Sequence, residues 1–157
     1  MAVHKIQIND FISIDYELIA IHTTLEDYRL AFFLNRLLTL QLQKNHINLE
    51  IKSKDGKSSF SHFSYEDEKQ DIVWNVIENK TSIIASNNKK SGFFESVDMT
   101  AFVLPEFKKA DFILKIENIE PDFNLDEIIA VVSGIKQISL VYPIDQDKLK
   151  SKHNLIF

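Results

Sequence analysis

The chain has 157 residues, 45% of them apolar, and carries 18 basic and 23 acidic side chains for a net charge of −5. That length suits one domain that buries about 70% of the surface of its unfolded chain, and the apolar share favours a packed globule over a disordered chain. With no cysteine there is no disulfide framework, thiolate nucleophile or Cys-ligated zinc or iron–sulfur centre, and the acidic balance argues against wholesale electrostatic binding to nucleic acid or an anionic membrane.

Residues 4–8 form a short strand candidate, and residues 11–22 a stronger one. There Ile12, Ile14, Tyr16, Leu18 and Ala20 share one face, while the other changes from polar at Ser13 to apolar at Ile19 and Ile21. Such a switch predicts a strand covered on both sides in its second half. Thr23 and Glu26 have capping-box spacing, which predicts a helix from there to about Gln41. Leu30, Phe33, Leu34, Leu37 and Leu38 form its expected core face. The opposite side carries Leu25, Tyr28, Arg29, Phe32, Arg36 and Thr39, with Tyr28, Phe32 and Arg36 at successive i, i+4 steps. Either a loop or the second helix covers this aromatic and cationic stripe, or it is a partner surface, where Tyr, Phe and Arg are enriched.

Residues 47–53 read as a strand, Asp55-Gly56 as a hairpin turn, and residues 58–65 as the returning strand. Strands at 71–77 and 81–85 follow, separated by turns at 66–69 and at Glu78-Asn79-Lys80. Residues 86–92 are polar throughout, end in Gly92 and read as a flexible loop. A short strand is expected within 99–104.

Residues 103–116 are the most patterned stretch. Pro105 fixes its own φ and drives Leu104 toward an extended conformation, so it bends the chain into a strand over 109–117. In that strand Ala110, Phe112, Leu114 and Ile116 alternate with Asp111, Ile113, Lys115 and Glu117. Beyond it, Asn124 is the predicted N-cap of a second helix with Leu125, Ile128, Ile129 and Val132 on its core face and Gly134 at its stop. Residues 137–142 make a final strand, residues 145–150 a further helical turn, and residues 148–157 a basic tail containing Lys148, Lys150 and Lys152.

The run Leu104-Pro105-Glu106, three residues, then Ala110-Asp111-Phe112 resembles the signature of the IPExxxVDY family of small bacterial proteins. Leu104 stands for Ile, Ala110 for Val and Phe112 for Tyr, so the last position lacks a hydroxyl. The resemblance implies no activity and no catalytic residues. Two readings of Glu106 and Asp111 compete. In one they satisfy backbone donors around the bend. In the other they form a paired-carboxylate site for acid/base work or a metal. His22, where the first strand meets the helix N-terminus, either binds an anion at the free N–H groups or stacks on a capped helix start.

The five histidines (4, 22, 46, 62 and 153) show no i, i+4 pairing, and no Walker loop, dinucleotide fingerprint or Gly-x-Ser-x-Gly elbow occurs. No metal, cofactor or catalytic set is therefore assigned. No signal peptide or membrane span is expected, and the expected location is the cytoplasm. The expected fold is a single α+β domain over 1–157. It has a mostly antiparallel sheet with two main helices on one face, and strand–helix–strand units on either side of a central meander. The expected function is non-catalytic protein–protein interaction, with homo-oligomerisation left open. The alternatives are a small ligand-binding protein or enzyme with a site near Glu106, Asp111 and His22, and an RNA-associated protein using the lysines of the tail.

Overall fold

The computed structural model describes residues 16–85 and 99–157. The expected strand at 4–8, the first part of the strand at 11–22 and the polar loop at 86–92 lie outside the described residues. The elements in chain order are β1 (Tyr16–Thr23), α1 (Asp27–Leu38), β2 (Gln43–Lys44), β3 (Leu49–Ser53), β4 (Gly56–Phe60), β5 (His62–Asp67), β6 (Ile72–Glu78), β7 (Lys80–Ser82), β8 (Ile84–Ala85), β9 (Thr100–Phe102), β10 (Phe112–Glu117), α2 (Leu125–Ser133) and β11 (Ile138–Pro143). Six strands form one antiparallel sheet in the order β11-β1-β10-β6-β5-β2. Strands β3, β4 and β8 make a second sheet, and β7 pairs with β9. The α+β class and the antiparallel sheet agree with the sequence.

Alternation along β1 divides the core in two. Ile19 and Ile21 join the helix side with Leu30, Leu34, Trp74, Val76, Leu114, Ile116 and Val132. Leu18 and Ala20 join the opposite side with Phe60, Ile77, Ile113, Ile144, Leu149 and Leu155. Strands β1 and β10 are thus buried on both faces, as the switch from polar to apolar residues in β1 predicted. The second face carries no long helix among the described residues. It is covered by β4, the 103–110 bend and the segment after β11.

Several local readings change. The helix starts at Asp27 and stops at Leu38, where Thr39 adopts φ 54° and donates its N–H to Asn35 O. The expected capping box does not form, because Thr23 Oγ1 accepts from Leu25 N at 3.1 Å and donates to Gln137 O at 2.8 Å. Leu25 precedes the helix, so helical periodicity does not govern it, and it is buried; Leu37, expected in the core, is exposed. The hairpin turn residues are Lys54-Asp55, and Gly56 opens β4 at φ 144°, a conformation that only glycine takes easily. The expected strand at 58–65 breaks at Ser61, because β4 belongs to one sheet and β5 to another. Asn124 caps α2 as expected, accepting from Glu127 N at 3.2 Å.

The 103–111 bend is held by one buried side chain. Asn79, fully buried, donates through Nδ2 to Phe107 O and Ala110 O, both at 2.9 Å, and accepts through Oδ1 from Leu104 N at 2.8 Å. Its backbone N–H donates to Asp111 O at 2.9 Å, and its carbonyl accepts from Val103 N at 3.0 Å. Pro105–Phe107 form a single 3₁₀ turn inside this clamp. Asn79→Ala strands the Leu104 N–H and the Ala110 carbonyl, each costing about 1–3 kcal/mol when left unmet, while the Phe107 carbonyl keeps the Ala110 N–H at 3.0 Å. We expect urea denaturation to show a loss of at least about 2 kcal/mol, with no change in the far-UV spectrum of the surviving native state.

Candidate functional site

The motif carboxylates are both engaged within the chain. Glu106 Oε1 accepts from Lys150 N at 2.8 Å and Ser151 N at 2.9 Å, and Oε2 accepts from Ser151 Oγ at 2.6 Å. Burial alone would raise this carboxyl, but the Ser151 hydroxyl and the Lys150 and Ser151 N–H groups hold it below its usual value. Asp111 Oδ2 accepts from Thr23 N at 2.8 Å, and Oδ1 pairs with the Lys80 ammonium at 3.0 Å. His22 Nε2 shares a 3.0 Å hydrogen bond with the Tyr142 hydroxyl. The cavity of about 510 Å³ that Asp111 lines is bounded also by Thr23, Glu26, Asp27, Glu78 and Lys80, and neither Glu106 nor His22 lines it. The three residues therefore do not converge on that cavity.

In the same cavity Asp27 and Glu78 lean in opposite directions. Burial would raise Asp27, but hydrogen bonds from the Ser61 hydroxyl, the Tyr28 N–H and Lys44 hold it low. Burial raises Glu78, and the negative charge of Asp27 adds to the rise. A split of this kind can serve acid/base chemistry. Here, however, both Asp27 oxygens are already taken, Oδ1 by Tyr28 N and Oδ2 by Ser61 and Lys44. Among the described residues no group of three or more His, Asp or Glu is placed to hold a metal ion, and no helix is long and apolar enough to cross a membrane.

The outer face of α1 has a different character. Tyr28 and Phe32, one helical turn apart, are each 59% exposed. Arg29, Arg36 and Leu37 are exposed beside them. Phe32 rests edge-on against Phe33, with ring centroids 5.7 Å apart, and Phe33 in turn packs on the core. Among the described residues, neither α2 nor a loop covers these rings. By contrast, the basic tail is docked. Leu149, Ser151 and Leu155 are buried, Asn154 Nδ2 donates to Val103 O at 2.9 Å, and Glu106 holds the backbone at 150–151. Lys148 lies 3.7 Å from Asp145. Of the other two lysines, Lys150 is exposed and Lys152 half-buried.

One feature was hidden in the sequence. A polar row crosses the second sheet face from β5 to β10. Ser64 Oγ donates to Asn45 Oδ1, Asn45 Nδ2 to His62 Nδ1, His62 Nε2 to Asn75 Oδ1, and Asn75 Nδ2 to Glu117 Oε2, at 2.7 to 3.0 Å. This order of donors assigns the Nε2–H tautomer to His62. At the far end the buried Lys115 ammonium donates to Glu117 Oε1 at 2.7 Å and Leu155 O at 2.9 Å, between the rings of Tyr16 and Phe157. Period-two alternation does mark these residues as sharing a face, but it reads as a solvated face until the tail at 149–157 is laid over it.

Burial lowers the His62 pKa; the Asn75 hydrogen bond opposes that, the Lys115 charge adds to it, and the Glu117 charge also opposes it. His62 is thus kept neutral, and its contribution to stability is present above the unfolded value of 6.5. It is lost as pH falls through the lower folded value, because the unfolded chain binds the proton first. Thermal melts between pH 7.5 and 5 are expected to show a falling Tm, and His62→Gln should flatten that slope. An unchanged slope in the variant would place the pH response elsewhere.

No protein-family model, curated protein or solved structure matches the chain.

Proposed function

We propose that the protein is a non-catalytic binding module whose partner is another protein seated on the outer face of α1. The observation that carries this reading is the pair Tyr28 and Phe32, both 59% exposed on a helix whose opposite face is well packed. Aromatic rings beside arginines are the side chains that dominate binding energy in protein interfaces. The parts of these rings left in water contribute little to the fold. The polar groups of the motif favour the same reading, since Glu106 and Asp111 are occupied by Ser151, Thr23 and Lys80. Arg29 and Arg36 call for a partner surface that combines an apolar patch with carboxylates, because a guanidinium pairs best with a carboxylate fork.

A second reading follows from the spacing of the stripe. Antiparallel packing of two α1 helices centred on Phe32 sets Tyr28 of one copy against Arg36 of the other, a cation–π pair made twice by the two-fold axis. Sedimentation of the purified protein separates the two readings. A monomer at micromolar concentration leaves the face for a different protein. For the main reading, the protein and a Phe32→Glu/Arg36→Glu variant are used to capture partners from nuclease-treated lysate of the native host. The variant is expected to keep the wild-type Tm within a few degrees, because both side chains are exposed, and to lose the captured partner. A partner retained by the folded variant would contradict the reading, as would a variant that no longer folds.

A further inference from the structure

We propose that the cavity between β3, β9 and residues 153–156 is a binding site for an amphipathic carboxylate of fatty-acid type. It is an open cleft of about 650 Å³, a volume within the range of about 300–1,000 Å³ typical of small-molecule sites. Its walls come from several parts of the chain. They include Leu49 and Ile51 of β3, Ala101 and Phe102 of β9, Ile83 of the β7–β8 connection, and Ile156 of the terminal segment. Ile156 is 81% exposed, so an apolar chain lying in the cavity would take it out of water.

The charge around these walls runs against that of the whole protein. In a chain of net charge −5, the cavity is lined by Lys52, Lys108 and His153 and by a single acid, Glu50. That acid is already neutralised by Lys57 at 2.7 Å. Neither Lys52 nor Lys108 makes an ion pair among the described residues. The Lys108 ammonium stands 5.8 Å from the centre of the Phe102 ring, which places a cation at the edge of an apolar wall. An anionic head beside Lys108 with a hydrocarbon body along Phe102, Ile51 and Ile156 matches both features. A cation of the same shape would meet the Lys108 ammonium without a counter-charge. Lys108 belongs to the bend that Asn79 clamps, so the cation is presented by a rigid part of the fold. No residue of α1 lines the cavity, and the site is independent of the partner face.

The test is calorimetric titration of the purified protein with decanoate. Decyltrimethylammonium serves as the probe of opposite charge, and butyrate as the probe with the same head and little chain. Saturable one-to-one binding of decanoate is expected, with both other probes at least about tenfold weaker. Lys108→Glu should weaken decanoate about tenfold or more, the scale of a lost charge-assisted bond. Ile51→Glu, which places a carboxylate in the wall, should abolish binding. Thermal melts of each variant confirm that it is folded. The Phe32→Glu/Arg36→Glu variant should bind decanoate as the wild type does. The proposal is overturned by non-saturable or absent decanoate binding, by equal affinity for decyltrimethylammonium, or by a folded Lys108→Glu variant that binds decanoate unchanged.

Discussion

The buried amide of Asn79 is the interaction on which most of this structure depends. It stands where β6 gives way to β7, and through side chain and backbone it bonds to Val103, Leu104, Phe107, Ala110 and Asp111. A bend with this many inward-facing backbone groups cannot be buried without partners, since each unmet group costs about as much as a tenth or more of the stability of a typical domain. Once the bend is closed, its two acids act as brackets. Glu106 holds the backbone at 150–151, and with it Leu149 and Leu155 in the second core. Asp111 holds Thr23, and so sets the corner from which α1 departs. The motif is a structural knot joining the sheet, the terminal segment and the helix.

This arrangement accounts for the contrast between the two sides of the molecule. The helix side is a conventional apolar layer. The other side is closed by irregular chain, which must satisfy its own backbone groups, and the polar row from Ser64 to Lys115 supplies some of those partners. Lys115 donates to the Leu155 carbonyl, and its ammonium lies over the rings of Tyr16 and Phe157. A charged residue is tolerated there because Glu117 neutralises it and its remaining donor capacity is used. Among the described residues, the outer face of α1 and the cleft lined by β3 and β9 are the surfaces for which binding is proposed.

Local pattern carried the sequence reading where the partners of a residue are close in the chain. The alternation around Phe112 to Glu117 identified β10, Pro105 located the bend, and Asn124 located the start of α2. Asn79 read as a turn residue because its partners lie 25 to 31 positions further on. Thr23 and Glu26 had the spacing of a capping box, yet the Thr23 hydroxyl is claimed by Gln137, 114 residues away. The break at Ser61 was not legible, since membership of one sheet or another is decided by strands distant in sequence. Of the candidate site residues, the stripe on α1 was visible as a pattern and stands exposed, whereas the lysines of the tail belong to a segment whose backbone and apolar residues are docked on the sheet.

The central claim is that the motif is a rigid knot and not a mobile functional loop. Native-state hydrogen exchange at the amides of Leu104 and Asp111, followed over increasing sub-denaturing urea, tests it most directly. Their acceptors are Asn79 Oδ1 and Ile21 O. Both amides are expected to open only with global unfolding, at the same free energy and urea dependence as amides of the β1–β10 pair. Exchange through a small, urea-independent local opening, while the β1–β10 amides stay protected, would contradict it.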